Sequence, residues 1–161
     1  MVARYTSRVF VAAEAIHTGL DAATFAVHPK SGKSPVVDFG DLDPEAGAER
    51  IGVVLNPDIP TEVEWARFGP AGRDELLVFD VVIRSFTPGI QNAADLWNRL
   101  QSLADVVQGV FYDLTAQAPK ALSFDGEVQT TLVTGVRPQI APTNDGWIGA
   151  CVVTVRLQAT T

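Results

Sequence analysis

The ten residues from Leu76 to Ser85 (Leu-Leu-Val-Phe-Asp-Val-Val-Ile-Arg-Ser) constrain the fold more than any other stretch. Leu77, Phe79, Val81 and Ile83 share one face of an extended chain, and Leu76, Val78, Asp80, Val82 and Arg84 share the other. Both faces are largely apolar, which places this segment inside a sheet as a central strand. Thr87-Pro88-Gly89 ends it, and Thr87 or Asn92 can cap a helix over about Gln91 to Leu114. Ala93, Trp97, Leu100, Ala104, Val107, Phe111 and Leu114 recur at alternating four- and three-residue steps, with Leu96, Leu103 and Val110 widening the seam. Such a helix is about 36 Å long, and so wide an apolar face suits packing on a sheet better than a coiled coil. Trp97 on that seam is expected to be core.

A second constraint closes the chain. Val128, Thr130, Leu132, Thr134 and Val136 alternate with Gln129, Thr131, Val133 and Arg137, and Cys151, Val153, Val155 and Leu157 alternate with Val152, Thr154 and Arg156. The pattern predicts a hairpin with arms Glu127–Arg137 and Trp147–Thr160, joined by a long loop from Pro138 to Gly146. Upstream, apolar spacing predicts a helix over Val2–His17, stopped near Gly19. Residues 18–49 read as loop-rich and insertion-like, and strands are expected at Arg50–Leu55 and Thr61–Phe68. The order α–β–β–β–α–β–β gives an α+β fold, with a mainly antiparallel or mixed sheet in a single domain over residues 1–161.

Composition narrows the function. A chain of this length buries about 70% of its unfolded surface and needs neither metal nor disulfide to fold; with one cysteine, Cys151, it forms no internal disulfide. No segment resembles a secretion signal, and no apolar run approaches the ~18 residues of a membrane span, so a soluble, intracellularly made protein is expected. The net charge of −7 divides into +2 over residues 1–37 (four basic, two acidic), −8 over 38–80 (three, eleven) and −1 over 81–161 (five, six). The acidic centre disfavours tight nucleic-acid binding, which needs basic side chains. It suits either solubility or a surface past which DNA slides without sticking.

The chain carries no set of residues that reads as a catalytic site. Its two histidines, His17 and His28, lie at a predicted helix end and before a proline, with no nucleophile elbow to serve. Gly32-Lys33-Ser34 lacks the upstream glycine of a phosphate loop and runs into Pro35. Asp38, Asp41, Asp43 and Glu45 lack the glycine that a calcium loop needs at its sixth position, where Asp43 stands. No enzymatic activity, cofactor or metal is expected. Trp65, with Arg67 and Phe68 beside a Gly-Pro turn, and Trp147, after the loop holding Pro142, Asn144 and Asp145, are candidate subunit or ring contacts.

Several segments together carry a family likeness: an N-terminal helix, Ile-Gly-Val-Val-Leu at 51–55, Leu-Leu-Val-Phe-Asp-Val-Val-Ile-Arg-Ser-Phe at 76–86, an early Asp-Leu-Trp in the helix, and Asn-Asp-Gly-Trp-Ile-Gly-Ala-Cys-Val-Val-Thr-Val-Arg-Leu at 144–157. Over residues 50–160 this order resembles the tail terminator (tail completion) proteins of long, non-contractile-tailed bacteriophages. The resemblance implies a structural virion protein at the head-proximal end of the tail, made in the bacterial host cytoplasm. A homo-oligomeric, hexameric ring would cap the tail tube protein, stop its polymerisation and offer a surface to the head-side connector, while DNA passes through without specific binding. Residues 18–49 have no counterpart in the likeness, and no single residue's role is carried over. The alternatives are another head–tail connector or neck (head-completion) protein and, from a different class, a small α+β enzyme or ligand-binding domain.

Overall fold

The computed structural model describes residues 9–41, 49–56, 62–64, 74–88, 93–113, 115, 117–119 and 128–160. The elements run α1 (Val9–Ala22), β1 (Val36–Phe39), β2 (Arg50–Leu55), β3 (Glu62–Glu64), β4 (Asp74–Pro88), α2 (Ala93–Phe111), β5 (Tyr112–Asp113), β6 (Ala118–Pro119), β7 (Val128–Pro142) and β8 (Gly146–Thr160). One six-stranded sheet has the order β1-β2-β4-β8-β7, with β3 pairing β4 beyond the end of β2. The pair β1–β2 is parallel and the other pairs are antiparallel, so the fold is α+β with a mixed sheet. The two-residue strands β5 and β6 pair separately.

The doubly apolar strand is central. β4 pairs β2 on one side and β8 on the other, matching β8 at all fifteen positions from Asp74↔Thr160 to Pro88↔Gly146. Both helices pack on one face of the sheet, α1 over β1 and β2 and α2 over β4, β8 and β7. The core between them holds Leu77, Phe79, Val81 and Ile83 of β4, Ile51 and Val53 of β2, and Cys151, Val153, Val155 and Leu157 of β8. From above it is closed by Ile16 and Leu20 of α1 and by Leu96, Leu100, Leu103, Val107 and Phe111 of α2. Burying side chains of this size is worth roughly 1.5–3 kcal/mol each, the term that fixes the layers.

Two glycines allow close approach. A Cβ on Gly149 would stand 2.7 Å from Leu100 Cδ1 and 3.1 Å from Leu96 Cδ2, so α2 lies directly on the bare backbone of β8. A Cβ on Gly52 would fall within 1.8 Å of the Gly40 carbonyl oxygen, because the chain leaving β1 crosses β2 there. Gly40 itself has φ +90°, which suits glycine. Its N–H donates to the Val53 carbonyl at 2.9 Å.

Several expectations are corrected. Helix α1 does not stop at Gly19 but continues to Ala22, because Leu20 is fully buried and docking outweighs the intrinsic cost of one glycine. Within residues 18–49 lie the end of α1 and strand β1, which forms through its register with β2, Val36↔Arg50 to Phe39↔Val53. The hairpin arms extend to Pro142 and back from Gly146, leaving only Thr143–Asp145 as the loop, closed by Thr143 N–H to the Gly146 carbonyl at 2.7 Å. Pro138 and Pro142 are tolerated because β7 is an edge strand, where a missing N–H can face outward. The hairpin tip therefore sits level with the end of β4 rather than projecting beyond it.

Candidate assembly surface

Edge strand β7 and helix α2 carry exposed apolar side chains: Trp97 and Tyr112 on or beside the helix, Leu132 and Val136 on the strand. The register between β7 and β8 slips by one between Val133 and Gly135, so Thr134 is an extra residue. Such a bulge reverses the alternation. Val133 and Val136 consequently point to the same, helix-bearing face, opposite Val155 and Val153, whereas strict alternation places them on opposite faces.

Two adjoining hollows lie between this strand and α2, sharing Asp105 and Gln108. One of 630 Å³ is walled by Phe111, Tyr112, Thr131 and Leu132. The other, of 280 Å³, is walled by Trp97, Val136, Pro138 and Cys151. Trp97 is 45% exposed, Leu132 49% and Val136 38%. Trp97 is thus not core. The buried seam is centred on Leu96, Leu100, Leu103 and Val107, one step around the helix, and leaves Trp97 on its flank. The seam has its own four-, three- and four-residue spacing in the sequence, and Ala104 and Phe111 of the Trp97 row are buried beside it while Trp97 itself is not. Among the described residues β7 pairs only with β8, so its outer edge has no strand partner there.

The predicted contact residues divide. Trp65, Arg67 and Phe68 lie outside the described residues. Pro142, Asn144 and Asp145 are exposed at the hairpin tip. Trp147 is half-buried and packs against the core, opposite Thr87 of β4.

Two of the acidic residues of the centre, Glu49 and Asp80, are buried and paired inside the protein. Glu49, 3% exposed, receives Arg99 Nε at 2.9 and 3.1 Å, Arg99 Nη2 at 2.5 Å and the Ser85 hydroxyl at 2.7 Å. Arg99 Nη2 also donates to the Ala26 carbonyl at 2.6 Å, tying the segment after α1 to α2. On the opposite sheet face Asp80 accepts from Asn56 Nδ2 at 3.0 Å and from the Thr154 hydroxyl at 2.8 Å. Asp41 takes a two-pronged bond from Arg84, Nε to Oδ1 at 2.5 Å and Nη2 to Oδ2 at 2.8 Å. The hydrogen bond from that guanidinium holds the Asp41 carboxyl below the usual range against the opposing effect of partial burial, with the charge of Arg84 adding to it. Of the acidic run, Asp38 is exposed, while Asp43 and Glu45 lie outside the described residues.

His17 lies inside α1 and stacks on Phe39, ring centroids 4.5 Å apart. His28 is buried, and its Nδ1 accepts the amides of Lys30 and Ser31, both at 3.2 Å. Gly32-Lys33-Ser34 follows within that turn, with Gly32 N–H donating to the His28 carbonyl at 2.8 Å, and leads into a strand, not a helix. Burial pushes the Cys151 thiol up from its ordinary value. Among the described residues no three His, Cys, Asp or Glu side chains cluster as metal ligands, and no helix is long and apolar enough to cross a membrane. No protein-family model matches the chain, and neither does any curated protein sequence.

Proposed function

We propose that this chain is a structural subunit that closes rings of its own copies, as the tail terminators it resembles do at the head-proximal end of a bacteriophage tail. Its role on this reading is geometric: a ring, of six copies in the resemblance, caps the tube, stops its growth and presents a second face to the head. The observation that carries the proposal is the β7–α2 edge, where a fifteen-residue edge strand lies beside the exposed side chains Trp97, Leu132 and Val136. Exposed apolar surface next to an unpaired strand edge favours burial against another chain. The opposite sheet edge, β1, exposes Val36 and Phe39. A contact joining unlike edges of successive copies closes into a ring when its rotation does. On this reading the Pro142–Trp147 tip makes contacts within the assembly, and the exposed part of the acidic segment faces passing DNA.

Mass measurement in solution, with electron microscopy for a ring with a central hole, tests the proposal. Tube-capping by the purified ring separates a terminator from a neck protein: failure to bind tubes favours the neck assignment. A chain that stays monomeric at high concentration and ignores both tube and portal-side partners refutes both.

A further inference from the structure

The exposed turn over residues 28–33 is tied together from within. His28 N–H donates to the Lys33 carbonyl at 2.9 Å, and Gly32 N–H to the His28 carbonyl at 2.8 Å. The buried His28 ring accepts the Lys30 and Ser31 amides, and Lys33 N–H donates to Ser31 Oγ at 3.3 Å. Gly32, at φ +67°, supplies the left-handed corner. Lys30 and Lys33 are both exposed on this turn, and Val27 beside it is 52% exposed. The buried imidazole thus holds a basic, partly apolar knuckle in one shape.

The groove on the other side of α2 is its complement. The hollow of 280 Å³ between Trp97, Val136 and Pro138 exceeds the roughly 150 Å³ of an apolar cavity that takes up benzene. Asp105, exposed, is its one charged lining residue among those described. Arg137 of β7 does not offset that charge: paired with Val152, it stands on the helix-free face of the sheet. Knuckle and groove occupy opposite flanks of α2, the first beside Asp95 and Asn98 and the second beside Trp97 and Gln101, so they cannot meet within one chain. They do lie at one level. Val36, shortly after the knuckle, begins a cross-strand row that runs through Arg50, Arg84 and Ala150 to Gln139, next to Pro138.

Resting on the ring-forming role above, we propose that the knuckle of one copy docks into the Trp97–Val136 groove of the next, with Val27 against the apolar wall and Lys33 toward Asp105. Surfaces at one level on opposite edges meet by rotation about an axis along the strands, without the translation that makes a filament. Side chains carry this contact because backbone pairing is hindered at both edges. Pro138 and Pro142 bring no N–H to β7. On β1 the Val36 and Gly40 amides face the β2 side, so alternation turns the Phe39 amide outward, where it donates to Asp38 Oδ1 at 2.8 Å. Opposite charges at exposed positions orient such a contact, and the apolar surface supplies most of its affinity.

Sedimentation of the full chain over a concentration series tests it, with Lys33→Glu and Asp105→Lys as variants. Both positions are exposed, so Tm should stay with the parent. Each variant alone sets like charges against each other and should self-associate about tenfold more weakly. An equal mixture of the two should recover association at the parent's level, because every contact then joins opposite charges again. Val27→Ser, which removes apolar cover, should also weaken association. If the parent associates but neither charge reversal weakens it, or if the mixture gains nothing over the separate variants, the docking is overturned while ring formation through another contact stands. A parent that stays monomeric at high concentration overturns both.

Discussion

Replacing Gly52 by alanine tests the crossing of β1 over β2 at a point where side-chain rotation offers no escape. The new methyl would lie 1.8 Å from the Gly40 carbonyl oxygen and 3.0 Å from its carbonyl carbon, backbone atoms rather than the end of a flexible chain. Strand β2 is held by β4 from Arg50↔Arg84 to Leu55↔Phe79, whereas β1 has only the four-residue parallel register with β2. Relief therefore comes by lifting Gly40 and Asp41 away. That breaks the Gly40–Val53 backbone bond, worth about 0.5–1.5 kcal/mol. It also releases the Arg84–Asp41 pair, whose side chains are 27% and 42% exposed and which contributes about 0–1 kcal/mol once solvent screening is counted. With some loss of β1 packing the sum is about 1–3 kcal/mol, a fall in Tm of roughly 2–12 °C for a chain of this size. Thermal unfolding followed by circular dichroism gives the total, and amide hydrogen exchange locates it. Protection should be lost over residues 36–41 and retained along β4 and β8. A variant that melts with the parent and keeps those amides protected, or one that loses protection across β4 and β8 as well, refutes the reasoning.

Glu49→Gln leaves the Arg99 charge buried without its partner and should destabilise by about 3–5 kcal/mol in denaturant unfolding; a change below 1 kcal/mol contradicts the assigned pair. Asp41→Asn should cost no more than about 1 kcal/mol at pH 7. The Asp41 carboxyl is held below its unfolded value, so its contribution is present above that value, ~3.9, and fades as pH falls through the folded one. Parent and Asp41→Asn stability curves should accordingly converge on acidification, and parallel curves would contradict the linkage. Trp97→Ser together with Leu132→Ser should lower the self-associated fraction in sedimentation with little change in Tm, since both side chains are about half exposed; unchanged association removes the β7–α2 edge from the interface.

The parts of the fold legible in the sequence are those whose signal is local and repeated. β4 is apolar on both faces and α2 carries a sustained seam, so each declared its type and β4 its central position. What escaped depends on partners distant in the chain. β1 has four residues, mostly exposed, and exists because β2 offers it a register. Pro138 and Pro142 read as breakers, since nothing nearby says that β7 would be an edge strand. The bulge at Thr134 moves Val136 to the helix face through pairing with β8, which no count along β7 alone reveals. Likewise Glu49 and Arg99 are 50 residues apart, and Thr87, His28 and Arg99 meet only after the helix docks. The site residues beside the Gly-Pro turn, Trp65, Arg67 and Phe68, lie outside the described residues.

One packing choice links these observations to the exposed β7–α2 surface. Gly149 has no side chain to hold α2 off the sheet, so Leu96 and Leu100 settle directly onto β8. That contact fixes the rotation of the helix: with Leu96, Leu100, Leu103 and Val107 turned to the sheet, the next position, Trp97, turns toward β7 and stays half exposed above Val136 and Pro138. A methyl at Gly149 meets Leu100 Cδ1 at 2.7 Å, a flexible end that can move at a cost of about 1–3 kcal/mol for overpacking. Gly149→Ala should therefore disturb two properties together, lowering Tm and altering the environment of Trp97. Leu100→Val, by shortening the clashing branch, should recover part of both in the double variant. Tryptophan fluorescence and Tm measured across that cycle separate the coupling from simple destabilisation. A Trp97 signal that does not respond while Tm falls would show that the position of Trp97 over Val136 and Pro138 does not depend on the Gly149 contact.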